Sequence, residues 1–246
     1  MADDGPDGLA KLSFIIPAHN EEHELPATIA AIRRASEASP QPCEIIVVND
    51  ASTDSTAEIA TGLGARVISV NRRQIAAVRN AGAQAARGEI LFFVDADTQI
   101  TTGQVASAVK LLEAGYAGGS ARIMVDRRVP LWARISIWLF SLVYFSSGLG
   151  VGAFIFTRRD FFEQVGGFDE QYFAGEEVYL SLALRKLGRF KILREPVTTS
   201  ARKVRMHSAR FVLAQFLFII LGGPRALQNR EKLGLWYDGK RERRAA

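Results

Sequence analysis

The feature that most constrains this chain is a repeated alternation of apolar runs with segments of helical spacing. KLSFIIPAHN, CEIIVVND, RVISV and EILFFVD each read as a strand. LPATIAAIRRASEA, STAEIATGLG and IAAVRNAGAQAARG, which separate them, carry their apolar residues at helical intervals. Strands apolar on both faces and joined by helices make a parallel sheet covered on both sides, so the expected fold class is α/β. Local signals set the boundaries. Pro17 is expected to stop the first strand, and Pro26 suits the first turn of the helix after it. Ser55 to Glu58 reads as a capping box for the next helix, which Gly62 or Gly64 ends, and Gly88 stops the third.

Ligands of such sheets bind at the carboxyl ends of the strands. The polar residues of this chain gather there. His19, Asn20, Glu21 and Glu22 follow the first strand, Asn49, Asp50, Ser52 and Asp54 the second, and Asp95-Ala96-Asp97 the fourth. Buried carboxylates are costly without a partner. Two aspartates one residue apart on a tight turn offer hard oxygen ligands suited to Mg²⁺ or Mn²⁺ rather than zinc. A second acidic pair, Glu176-Glu177, opens a helix, where a carboxylate is stabilised as the anion and can take a proton from a substrate hydroxyl. The stretch IPAHNEE lacks a glycine-rich phosphate loop, which argues against a dinucleotide dehydrogenase and a P-loop enzyme.

The 48% hydrophobic and 23% charged residues are those of a folded protein. The net charge of +5 is concentrated in Arg202, Lys203 and Arg205 and in Lys240, Arg241, Arg243 and Arg244. That pattern suits an anionic ligand or surface rather than a nucleic acid. Cys43 is the sole cysteine, consistent with a reducing, cytoplasmic compartment, and the acidic N-terminus does not read as a signal peptide. Residues 135–157 carry no charge and have the length of a membrane span, but Gly148, Gly150 and Gly152 interrupt them. A buried helix and strand is expected there. A second apolar helix, ARFVLAQFLFIILGGP, is expected to end at Gly222, Gly223 and Pro224.

SFIIPAHNEEHELPATI, IIVVNDASTDST, AAVRNAGAQAARGEILFFVDADT, GAFIFTRRDFFEQVGGFDE and GEEVYLSLALRKLG follow one another as in family 2 glycosyltransferases. The resemblance covers residues 12 to about 190 and implies the GT-A fold: a mostly parallel central sheet flanked by helices, with a Rossmann-like nucleotide-binding first half. It implies one domain over 11–230, divided into a nucleotide-binding half (11–100) and an acceptor-binding half (101–230). Residues 1–10 are then a disordered N-terminus and 231–246 a basic C-terminal tail. The activity implied is inverting transfer of one sugar from a nucleotide-sugar, with UDP-sugars favoured. The acceptor is a hydroxyl or a lipid phosphate, and Mn²⁺ or Mg²⁺ is the cofactor. By resemblance, Pro17, Ala18, Asn20 and Glu21 line the nucleoside site, Asp50 reads the base, and Arg79 and Asn80 lie near the nucleotide. Asp95 is the ribose or sugar contact, with Ala96 beside it in the nucleotide-sugar site, Asp97 is the metal ligand with Asp95 next to it, and Glu177 is the base beside Glu176.

Two departures stand out. The family's second acidic motif is commonly Glu-Asp, whereas Glu176-Glu177 and then Tyr179 stand here. The Gln-x-x-Arg-Trp motif of processive synthases is not found, and TSARKVRMHS lies near its place. Arg202 is thus a candidate for the diphosphate or the acceptor, and His207 for the metal. A lipid-linked acceptor would suit peripheral contact with the inner face of a membrane through 135–147, 211–221 and the basic tail. The alternatives are a sugar-nucleotide pyrophosphorylase and a nucleotide-sugar-binding protein without turnover.

Overall fold

The computed structural model of the protein describes residues 12–37, 39–125, 144 and 147–237. The four runs form β1 (Leu12–Ala18), β2 (Cys43–Asp50), β3 (Arg66–Val70) and β4 (Ile90–Val94), joined by α1 (Leu25–Glu37), α2 (Thr56–Gly62) and α3 (Ile75–Ala85). β1 lies between β2 and β4, and β3 flanks β2, all parallel. Alternation along the strands divides the core. Phe14, Ile16, Phe92 and Val94 pack on one side with α1, while Ile15, Val48 and Phe93 pack on the other with α3.

The second half adds β5 (Thr98–Gln99), α4 (Thr102–Glu113), β6 (Gly118–Val125), β7 (Phe154–Arg158), α5 (Arg159–Gln164), α6 (Glu176–Leu187) and β8 (Phe190–Thr199). β7 runs antiparallel to β4 and to β6, β8 parallel to β6, and β5 antiparallel to β8. The sheet is therefore parallel in its first half and mixed in its second, in the order β3-β2-β1-β4-β7-β6-β8-β5. Then follow α7 (Arg202–Met206), α8 (Ala209–Leu227), a 3₁₀ turn at Arg230–Lys232 and α9 (Gly234–Tyr237).

Three local expectations change. β1 runs through Pro17, because its pairing with β4 ends at Ile15 and the ladder on that side needs no donor there. Ser55 sits at the N-cap of α2, yet the acceptor is Asp54, whose Oδ1 takes Thr56 N–H at 3.0 Å. An ionised oxygen outcompetes a hydroxyl for that role. α8 bends instead of ending: Gly223 (φ 54°) is non-helical and Pro224 follows it within the helix, and the arms Ala209–Ile219 and Leu221–Leu227 cross at 89°. Residues 231–237, assigned to the tail, are also folded: Leu233 and Leu235 are buried. The expected helix in 135–143, and the tail beyond 237, lie outside the described residues.

Close packing of α3 on the sheet depends on Gly82, where a Cβ would sit 2.3 Å from Ile15 Cγ2 and 2.8 Å from Val48 Cγ2. Overpacking of this kind costs about 1–3 kcal/mol, against a gain of roughly 1 kcal/mol in helix propensity. Gly82→Ala is expected to lower the urea midpoint. An unchanged or raised midpoint would show that α3 can back away from β1 without loss.

Candidate active site

The carboxyl ends of β1, β2 and β4 open on a cavity of about 270 Å³. Pro17, Ala18, Glu21 and Asp50 line one end. Asp50 is buried, and its Oδ1 accepts the backbone N–H of Arg72 (2.7 Å) and Arg73 (3.1 Å). The carboxylate therefore fixes the loop between β3 and α3. His19 accompanies it, with Nδ1 2.8 Å from the Asp50 carbonyl and Nε2 2.9 Å from Arg73 Nη1. Asn20 adopts φ 55° and does not line the cavity. Its side chain instead ties the β1 loop to the β2 loop, accepting Thr53 N–H at 2.8 Å.

Arg79 organises the middle of the site. It is 2% exposed, donates to Glu176, to Asp95 Oδ1 (2.7 Å) and to the Gly152 carbonyl (3.0 Å), and lies 5.3 Å over the Phe168 ring. Burial works against its charge, but Asp95, Glu176 and Glu177 outweigh burial and hold it protonated. Gly152 makes this approach possible: a Cβ there would come within 2.7 Å of Arg79 Nη2. The next residue, Asn80, faces away from the cavity. It brackets the Gly166-Gly167-Phe168 turn, donating to the Phe168 carbonyl and accepting the Phe168 N–H, both at 2.9 Å.

Asp97 and Arg202 form a second charged group. Arg202, buried at the start of α7, bonds Glu21 through both terminal nitrogens and stands 3.4 Å from Asp97 Oδ2. Burial again opposes the charge, and Glu21 and Asp97 more than compensate. Arg202 thus crosses from the end of β8 to the end of β1, and lines the same cavity as Asp95, Ala96 and Asp97. His207 does not line it and instead stacks on Phe211 at 4.8 Å. Among the described residues no three His, Cys, Asp or Glu side chains converge as a closed metal cage. The donor set still fits Mg²⁺ or Mn²⁺, which are held by one or two carboxylates and completed by water and substrate phosphates. Asp97 and Asp95 would hold such an ion.

Glu176 and Glu177 occupy the first turn of α6 and both line the cavity. Neighbouring side chains on a helix point about 100° apart, and the two acids differ accordingly. Glu176 is buried in its ion pair with Arg79. Glu177 is half-buried, and burial together with the charge of Glu176 pushes its pKa up to about 8, against the opposing pull of Arg79. The sequence reading did not include Gly152, Gln74 or the C-terminal Arg230, Trp236 and Tyr237 among the lining residues.

A family model described as "Glycosyl transferase family 2" matches residues 13–166. An undecaprenyl-phosphate 4-deoxy-4-formamido-L-arabinose transferase of Serratia proteamaculans is 34% identical over 116 residues, covering 44% of this chain and 35% of the relative. An uncharacterized glycosyltransferase of Mycobacterium tuberculosis is 32% identical over 120 residues, covering 49% and 50%. The chain thus spans between a third and a half of the length of these relatives. Among solved structures, S. aureus TarS 1-349 in complex with UDP gives a TM-score of 0.62 at 19% identity, over 87% of this chain and 73% of that one. The mannosyltransferase PcManGT from Pyrobaculum calidifontis, in complex with GDP-Man and Mn²⁺, gives 0.61 at 20%, over 86% and 63%. The fold is that of the GT-A glycosyltransferases. With the family model spanning more than half of its residues, this chain belongs to glycosyl transferase family 2.

Proposed function

We propose that the protein is a metal-assisted inverting glycosyltransferase that moves one sugar from a nucleoside-diphosphate sugar, a UDP-sugar by preference, to a lipid phosphate at a membrane surface. One observation carries the reading: Asp50, Asp97 and Glu177, from three separate parts of the chain, face a single cavity. The nucleoside belongs at the Pro17–Asp50 end, where Asp50 accepts a base N–H. Asp97, with Asp95, holds the cation. When bound, the ion offsets the charge gathering on the departing diphosphate. Arg79 keeps Asp95 and Glu176 in place, and Arg202 does the same for Glu21 and Asp97. In-line attack from the side opposite the diphosphate inverts the anomeric carbon.

The acceptor end supports the lipid phosphate. A phosphate monoester brings its own oxyanion and needs no base, but it cannot approach a carboxylate without repulsion. A protonated Glu177 removes that repulsion and offers an O–H to the phosphate. Outside the cavity, α8 exposes Leu213 (57%), Leu217 (55%) and Leu221 (78%) at four-residue spacing, with Arg210 and Arg225 also on the surface. Exposed leucines flanked by arginines suit an anionic bilayer. Among the described residues no single helix is long and apolar enough to cross a membrane. A second reading, transfer to a hydroxyl, is favoured by the position of Glu177 on the helix start and requires it as the base.

The two readings predict opposite pH behaviour. With a phosphate acceptor, Glu177 acts as the neutral acid, so kcat/KM falls as pH rises through about 8, and Glu177→Gln stays within several-fold of wild type. With a hydroxyl acceptor, kcat/KM rises through that range, and the glutamine variant loses about 10²–10⁴ in rate. A rising profile with an inactive variant rejects the phosphate acceptor.

Asp97→Asn replaces a hard anionic ligand with an amide. It is expected to abolish transfer and to remove the Mn²⁺-dependence of nucleotide binding in calorimetry. Activity within a few-fold of wild type would exclude Asp97 as the ligand.

Vesicles with anionic lipid should carry the protein upward in flotation at low salt, less so as salt screens the arginines. Leu221→Glu should reduce the floated fraction. Wild-type protein remaining at the bottom at low salt would remove the membrane from the reading.

A further inference from the structure

Residues 230–237, beyond the family-model match, bring Arg230, Trp236 and Tyr237 to the cavity. The 3₁₀ turn and α9 are held from three sides. Leu233 (0% exposed) and Leu235 (8%) are buried. The Tyr237 hydroxyl donates to the Phe173 carbonyl at 2.8 Å and accepts the Ile75 N–H at 3.5 Å. The Tyr237 ring meets Phe173 edge-on at 6.0 Å. Ile75 begins α3, the helix of Arg79, and Phe173 lies just before Glu176. The segment therefore bridges the arginine helix and the acidic helix start.

Trp236 stands between the anchored Leu235 and Tyr237, yet it is only half-buried and lines the cavity. Arg230 lines it too, its guanidinium 5.2 Å over the Tyr237 ring. An indole face and a guanidinium, on a segment fixed by its neighbours, make an amphiphilic wall: apolar and flat at one point, cationic at the next. The same segment touches the exposed helix, with Leu235 N–H on Gln215 Oε1 at 3.5 Å and Lys232 Nζ 5.8 Å from the Phe218 ring. A ligand with an anionic head and an apolar tail would find both a cation and an apolar face on this wall.

We infer that the Arg230–Tyr237 segment is the acceptor-selecting wall of the site, with Arg230 binding the phosphate of an amphiphilic acceptor and Trp236 packing on the first carbons of its chain. The inference rests on the lipid-phosphate reading and adds the residues that discriminate. On this reading both contact the acceptor rather than the nucleotide, so their loss leaves nucleotide affinity in place.

Titration calorimetry of the full chain, with UDP (or GDP, whichever the wild type binds) and Mn²⁺ present, tests it with farnesyl phosphate and farnesol as probes. Trp236→Ala is expected to weaken both probes. Arg230→Gln is expected to weaken farnesyl phosphate about tenfold or more, as loss of a charged hydrogen bond does, and to leave farnesol unchanged. Trp236→Phe should recover most of the loss, and nucleotide affinity should hold within about twofold in all three variants. Variants that bind farnesyl phosphate as the wild type does overturn the inference alone. Variants that lose the nucleotide as well overturn it by showing a structural role. A wild-type protein that binds nucleotide but neither probe overturns the lipid-phosphate reading, and this inference with it.

Discussion

The charge of Arg79 is the interaction on which the site depends. A guanidinium 2% exposed is tolerable only when carboxylates and carbonyls meet its charge and most of its donors; both terminal nitrogens are bonded, and Nε alone has no partner among the described residues. Here those acceptors come from three distant pieces of chain: Asp95 after β4, Glu176 at the start of α6, and the Gly152 carbonyl before β7. Removing either acidic partner would leave a donor of the buried guanidinium unmet. The first and second halves of the chain are thus joined by electrostatics as well as by the pairing of β4 with β7.

Arg202 repeats the arrangement at the other end of the cavity, joining Glu21 to Asp97. Two buried arginines therefore hold four acids of the site, Asp95, Glu176, Glu21 and Asp97, at fixed positions. The acid beside but not within these pairs is Glu177, and its raised proton affinity follows directly. Burial and Glu176 both disfavour its anion, and Arg79 is already engaged with other carboxylates. Two adjacent glutamates thereby meet different surroundings, Glu176 in an ion pair with Arg79 and Glu177 with a raised proton affinity, a pattern typical of acid–base sites.

Much of this was legible in the sequence. The periodicities of 12–94 gave β1 to β4 and α1 to α3, since each strand is apolar on both faces and each helix has a single apolar side. Asp50, Asp95, Asp97, Glu176 and Glu177 were identifiable because acids at strand ends or a helix start have no packing reason to be there. β6 and β8 were not read: GGSARIMV opens with two glycines, and FKILREPVTT carries charges and a proline, so neither has a clean period. Asn20 was expected to line the nucleoside site and Asn80 to lie near the nucleotide; Asn20 ties the β1 loop to the β2 loop, and Asn80 ties α3 to the turn at Phe168. Their role depends on which loops meet, and local pattern is silent on that.

The chain by itself determined the α/β class, the parallel first half, the family and the acids of the strand ends, because these follow from side-chain periodicity and local spacing along the backbone. Tertiary structure alone decided which charges are paired, that Glu177 has a raised proton affinity, and that Arg230, Trp236 and Tyr237 complete the wall of the cavity. Pairing and desolvation are set by neighbours in space. Arg79 and Glu176 are 97 residues apart, and no period in the sequence connects them.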